Sequence, residues 1–190
     1  MNRVDTAFII HGAYGSSQEN WFPWLNCKLE EKGLKVYAPD FPTPEGHNLN
    51  NWMKVFEEYI STLNETSIII GHSMAPAFIL SILEKIDFRI KATFLVAPFV
   101  GKLDLPLDGL NMTFTEKDFD WNKIKQNCER FYIYSSDNDE YVPLSKGKDL
   151  SDILNADFNV ITNAGHFNQK AGYTSFPRLL EDILIEIEKV

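Results

Sequence analysis

The chain has 190 residues, 44% of them apolar, and 18 Lys and Arg against 27 Asp and Glu give it a formal net charge of −9. This length fits one domain, taken as residues 1–190, with a sizeable buried core. The negative balance argues against nucleic acid and anionic membrane as partners, because nothing offsets phosphate repulsion. The two cysteines, Cys27 and Cys128, show no local pairing or metal-ligand spacing and read as reduced, partly buried thiols of a cytoplasmic protein. The apolar run Thr6 to Ile10 is too short for a secretory leader, and no stretch approaches a membrane span.

Taken in order, Thr6 to Ile10 reads as a first strand and His11 to Ser17 as a turn carrying Gly12 and Gly15. Trp21, Trp24, Leu25 and Leu29 lie at helical spacing, and Gly33 ends that helix. Lys35 to Ala38 is a short strand, followed by a proline-rich loop from Pro39 to Gly46. Asn50 is expected to cap a helix running to Asn64, with Trp52, Val55, Phe56, Tyr59, Ile60 and Leu63 on its buried face. Ser67 to Ile70 is a β-branched run typical of a parallel-sheet strand. Ala77 to Ile86 is apolar nearly all round, as a helix covering a sheet would be. Ala92 to Ala97 is another strand, and Pro98 to Asp120 shows no clear period and reads as a long irregular connection. A short helix from Trp121 to Asn127 and a strand from Phe131 to Tyr134 come next, then an acidic loop from Ser135 to Tyr141. A helix opened by Pro143, a last strand from Phe158 to Ile161, a loop from Asn163 to Phe167 and a helix through Leu179 and Ile187 complete the chain. Strands alternating with helices predict an α/β fold, a three-layer α/β/α sandwich around about six parallel strands. Functional groups then gather at the carboxyl ends of those strands.

One of those ends is Gly71-His72-Ser73-Met74-Ala75, a serine on a sharp turn between strand and helix. Such a turn exposes the hydroxyl and places backbone N–H groups of the helix start beside it. A serine hydroxyl needs a base, the base needs an acid to fix its tautomer, and the oxyanion needs preorganised donors. His166 follows the last strand and is the candidate base. Of the other histidines, His72 lines the site or packs beside it, His11 hydrogen-bonds locally, and His47 lies solvated in its loop. Asp137, Asp139 and Glu140 compete for the acid; Asp139 is favoured, with Asp137 as the fallback. The oxyanion donors would be the N–H groups of Ala13 and Met74. Gly12, Tyr14, His72, Phe99 and Phe167 are expected to line the substrate site; the Pro98 to Asp120 connection is expected to cover it, with most of its apolar residues packing onto the sheet. No metal or cofactor is expected. The glycines do not form a dinucleotide or P-loop fingerprint, and Val142 stands where a calcium loop from Asp137 would need glycine. A flavodoxin-like binder would have no use for Ser73 and His166 at these positions.

His-Gly-x-x-Gly at His11 to Gly15, Gly-His-Ser at Gly71 to Ser73, Asp-x-x-Val-Pro at Asp139 to Pro143 and Gly-His-Phe at Gly165 to Phe167 stand in the chain order Ser, Asp, His. With these motifs the chain resembles the α/β-hydrolases, in particular the small serine hydrolases similar to retinoblastoma-binding protein nine and bacterial YdeN-like proteins. The resemblance covers nearly the whole chain. It implies a minimal hydrolase without a large lid, with Ser73 as nucleophile, Asp139 as acid and His166 as base. It implies a small-molecule acyl substrate, an ester, thioester or amide, cleaved by a carboxylesterase-like route. Members are also linked to protein partners, so a binding module on an idle scaffold is the alternative. Monomer and homodimer are both open. Ala75 stands where many members carry glycine, and its methyl is expected to crowd the helix against the strand and shift the turn slightly.

Overall fold

The apolar runs form the strands of one sheet. The computed structural model describes residues 4–188. In chain order the elements are β1 (Thr6–Ile10), α1 (Phe22–Glu31), β2 (Lys35–Tyr37), α2 (Leu49–Glu57), β3 (Ser67–His72), α3 (Ala75–Lys85) and β4 (Ile90–Val96). They continue with α4 (Asp108–Thr115), α5 (Trp121–Gln126), β5 (Cys128–Ser136), α6 (Leu144–Leu154), β6 (Asp157–Ile161) and α7 (Pro177–Glu188). The 6 strands pair in parallel in the order β2-β1-β3-β4-β5-β6.

Strand residues alternate between two cores, as the period of two in a pleated strand requires. Phe8, Ile10, Ile69, Leu95 and Ile133 face a core filled by Trp52 and Phe56 of α2, Phe78 and Leu83 of α3, Phe114 of α4, Ile124 of α5 and Leu150 of α6. Ala7, Ile9, Ile68, Ile70, Phe94, Tyr132 and Tyr134 face the other core, filled by Phe22, Leu25 and Leu29 of α1 and Leu179, Ile183 and Ile187 of α7. The expected three layers are therefore present, and β3, carrying the serine at its end, is buried along its whole length. Among the described residues no helix is long and apolar enough to cross a membrane.

Several boundaries differ from the sequence expectation. Asn48, not Asn50, caps α2: its Oδ1 accepts from Asn51 N at 2.9 Å, whereas Asn50 is the second residue of the helix and is exposed. That helix ends at Glu57, and a short 3₁₀ turn, Ile60–Thr62, follows it. β5 runs from Cys128 to Ser136, so the two serines read as loop are buried strand. The Pro98 to Asp120 connection contains α4, whose Phe114 is fully buried. The two cysteines are free: Cys27 is exposed rather than partly buried, and burial pushes the Cys128 thiol up to about 12. Replacing Asn48 with Ala removes the helix cap and is expected to lower stability by about 1 kcal/mol. Asn50→Ala is expected to stay within about 0.5 kcal/mol of the parent. Urea denaturation of the two variants checks both.

Candidate active site

Parallel pairing brings the carboxyl ends of β1, β3, β5 and β6 to one edge, and the candidate residues sit on the loops that leave it. Ser73 follows β3 directly with φ of 64°, a left-handed backbone that a residue with a Cβ holds only when its surroundings impose it. The Ser73 N–H donates to Val96 O of the neighbouring strand at 2.9 Å, and the chain then enters α3 at Ala75. The Ala75 methyl fits because Gly71 has no side chain: a Cβ on Gly71 would lie 3.2 Å from Ala75 Cβ and 2.5 Å from Ile79 Cδ1. The strand and helix thus pack closely without moving the serine out of line.

Ser73 Oγ–H points to His166 Nε2 at 3.1 Å, and His166 Nδ1–H donates to Asp139 Oδ2 at 2.8 Å. The Asp139 side chain is 1% exposed and that of His166 10%. The other oxygen, Asp139 Oδ1, accepts the N–H groups of Tyr141 at 2.8 Å and Val142 at 3.0 Å. Both carboxylate oxygens therefore have partners, which orients the acid toward the imidazole.

Asp137 does not reach His166. It belongs to a set of bonds that tie the loop after β5 to the loop after β6. Asn163 N–H donates to Asp137 Oδ1 at 2.8 Å, Ala164 N–H to Ser136 Oγ at 3.1 Å and Gly165 N–H to Asn138 Oδ1 at 2.8 Å. From the other side, Trp21 Nε1–H donates to Phe167 O at 3.0 Å and His72 Nε2–H to His166 O at 2.7 Å. His166 is thereby held on both flanks.

The first turn after β1 closes the site from above the serine. A Cβ on Gly12 would lie 3.0 Å from Ser73 Cβ and 3.1 Å from His72 O, so only glycine permits this approach. Gly12 O accepts from His11 Nδ1–H at 2.8 Å and from Gly15 N–H at 3.2 Å. Fixing that carbonyl fixes the peptide plane, and the trans geometry turns the Ala13 N–H to the opposite side. His11 Nε2 accepts the Phe41 N–H at 2.9 Å, so His11 must be neutral, and burial lowers its pKa accordingly. Among the described residues neither the Ala13 nor the Met74 N–H donates to a protein acceptor.

Two cavities meet at this point. A polar one of about 370 Å³ is lined by Gly12, Ala13, Tyr14, His72, Ser73 and His166 together with Glu19, Asn20, Asn168, Gln169 and Lys170. A smaller one of about 190 Å³ is walled by Phe99, Leu103, Leu105, Leu107 and Val142, and shares Ala13, Ser73 and His166 with the first. Gly12, Tyr14, His72 and Phe99 thus lie where the sequence suggested. Phe167 does not: its side chain is 0% exposed and packs with Trp21, Tyr173 and Phe176 in the core on the α1 side of the sheet. Its neighbour His166 turns to the site, so consecutive side chains of this loop face opposite ways.

His47 is likewise misplaced by the sequence. It is buried against Trp52 and Phe114 rather than solvated, and its Nε2 bonds Asn111 Oδ1 at 3.2 Å. Asn111 and the polar group Glu19, Asn20, Asn168, Gln169 and Lys170 were not singled out from the sequence. Asn111 lies one turn from Phe114 in a helix not foreseen, and the others come from loops that only the tertiary fold brings together.

A serine at a strained strand-to-helix turn, hydrogen-bonded through histidine to a buried aspartate on a parallel sheet, defines an α/β-hydrolase fold with a hydrolase-type site. The family model described as serine hydrolase matches residues 7–184, and the chain belongs to that family. The chain is 32% identical over 179 residues to YdeN of Bacillus subtilis (strain 168), which is named as a hydrolase, covering 93% of each chain. It is 25% identical over 181 residues to the serine hydrolase RBBP9 of Rattus norvegicus, covering 94% of this chain and 95% of that one. The crystal structure of the ydeN gene product from B. subtilis superimposes with a TM-score of 0.91 at 29% identity, covering 97% of this chain and 100% of that one. The protein is a hydrolase.

His72 is buried beside His166, their rings 4.8 Å apart, and burial, with the neighbouring histidine, lowers its pKa to about 3. In the unfolded chain an ordinary histidine binds a proton below about 6.5, while the folded protein keeps His72 neutral. Stability contributed by the neutral form is therefore present above about 6.5 and is lost as pH falls toward the folded value. His72→Gln, which can still donate to His166 O, is expected to reduce the loss of stability between pH 6 and 4, by up to about 1.4 kcal/mol per pH unit. Urea midpoints across that range check it.

Proposed function

We propose that this enzyme hydrolyses a small ester, thioester or amide through an acyl-enzyme on Ser73. The observation that carries this is the hydrogen-bonded series from Ser73 through His166 to Asp139, standing where a small apolar cavity opens into a larger polar one. His166 Nε2 takes the Ser73 hydroxyl proton as Oγ bonds to the substrate carbonyl carbon. The carbonyl oxygen becomes an oxyanion held by the N–H groups of Ala13 and Met74, which among the described residues have no protein acceptors of their own. His166 then gives the proton to the leaving group as its bond to the acyl carbon breaks. Water repeats the sequence: His166 takes a proton from it, its oxygen bonds to the acyl carbon, and Ser73 leaves with the proton returned.

Asp139 holds the imidazole with Nδ1 protonated and stabilises the imidazolium that forms. The apolar cavity suits the acyl group, and the polar cavity, open to Glu19, Asn20 and Lys170, suits an alcohol, thiol or amine that leaves into water. Acidification is expected to lower kcat/KM, because an imidazolium cannot accept the serine proton.

A fluorophosphonate probe tests the nucleophile. Intact mass spectrometry is expected to show one adduct on the parent protein and none on Ser73→Ala, with labelling of His166→Ala slowed by at least about 100-fold. Asp139→Asn is expected to lower kcat on a p-nitrophenyl ester by about 10⁴-fold by allowing the wrong tautomer, while Asp137→Asn keeps the catalytic bond. No adduct on the folded parent protein would overturn the reading and leave a binding module on an idle scaffold.

A further inference from the structure

The small cavity beside Ser73 is apolar except at one wall. Leucines 103, 105 and 107, with Phe99 and Val142, make most of it, and Tyr141 stands at its exposed mouth. Asn111 of α4 also lines it, though the residue is only 4% exposed. A leucine there would complete the apolar pocket but leave His47 Nε2 without its 3.2 Å partner, so His47 accounts for the amide oxygen and leaves the amide nitrogen to be explained.

Its orientation is set from behind. Among the described residues His47 Nδ1 is buried and has no partner, so a proton there would be an unpaired buried donor. The proton belongs on Nε2, which donates to Asn111 Oδ1 at 3.2 Å. Burial also favours the neutral ring. With Oδ1 committed to His47, the Asn111 amide nitrogen carries the remaining polar capacity. Among the described residues it has no protein acceptor, and, unlike His47 Nδ1, it is not sealed from the adjoining cavity. An amide N–H₂ only donates.

We propose that Asn111 is a specificity-determining donor of the acyl cavity, and that the acyl group this enzyme takes carries a hydrogen-bond acceptor, an ether, carbonyl or hydroxyl oxygen, within an otherwise apolar chain. The assignment of the cavity to the acyl group rests on the proposed acyl-enzyme. A dry cavity of about 150 Å³ accepts a benzene ring, so the 190 Å³ here takes a chain of roughly six carbons or one small ring. An all-carbon chain fills the space and leaves the Asn111 N–H groups without a partner. A chain with a suitably placed oxygen satisfies them, and a buried donor left unpaired is what makes such a site discriminate.

The test compares tails that differ by one CH₂ replaced with O. Octan-2-one and its analogues with oxygen at position 5 or 6 cannot be hydrolysed, so NMR titration reads their affinity without turnover. p-Nitrophenyl esters with the matching tails read kcat/KM. The parent protein, Asn111→Leu and Asn111→Asp are compared. Asn111→Asp retains an acceptor for His47 if Asn111→Leu fails to fold. The parent is expected to favour one ether tail over its methylene partner by about tenfold, and both variants are expected to lose or reverse that preference. Because each protein is judged by a ratio, a general loss of activity cancels. The same ratio in all three proteins would overturn the proposal, as would a folded parent protein that binds none of the ketones. A parent protein that shows the ketone preference but neither cleaves the esters nor reacts with fluorophosphonate would overturn the acyl-enzyme while supporting Asn111 as the selecting group.

Discussion

The site depends on the hydrogen bonds between two loops at the edge of the sheet. β5 and β6 are neighbours and run the same way, so the chain leaves both at one edge with Ser136 and Ile161 in register. Asn163, Ala164 and Gly165 each donate a backbone N–H to a side chain of the segment 136–138, and His166 donates from its ring to Asp139. Four consecutive residues of one loop are thus matched to the last residue of β5 and the three that follow it. A glycine-containing loop would otherwise sample many conformations, and ordering it costs about 1–2 kcal/mol per residue. The loop ladder offsets that cost locally and sets the imidazole where the serine needs it.

The nucleophile is held by a different device. Ser73 keeps a left-handed backbone because β3 on one side and α3 on the other are both buried and cannot shift. The turn after β1 comes close enough to the serine to touch it only because Gly12 lacks a side chain, and His11 fixes how that turn faces. Tight packing below the edge, together with the Ser73 N–H bond to Val96 O, maintains the geometry. His72 links the two systems, since it ends β3 and donates to the carbonyl of His166.

The central elements were legible in the sequence because short β-branched runs and glycine-bounded turns are local signals. β1, β3 and β4 are nearly continuous apolar runs, and the order Ser73, Asp139, His166 sits at their ends and those of β5 and β6. Asp139 and Asp137 could not be separated on physical grounds, because they are two residues apart on one acidic loop. The distinction arises from Asn163, which takes Asp137, and from the Tyr141 and Val142 N–H groups, which take Asp139. Phe167 was misread because it sits beside a site residue, yet its ring belongs to the opposite face of the sheet. His47 looked like a loop histidine, but its loop is covered by α2 and α4, and the second of these has no strong sequence period.

The crossing of β3 and α3 tolerates a methyl on one side only. A Cβ on Gly71 would lie 2.5 Å from Ile79 Cδ1 as well as 3.2 Å from Ala75 Cβ, so the strand position is closed by two side chains of the helix while the helix position already carries its methyl. Glycine at 75 would not by itself open the strand position, because Ile79 still occupies the space. Drift at Gly71 is therefore conditional on Ile79 and Ala75 together, and its effects with either in a double-mutant cycle are non-additive.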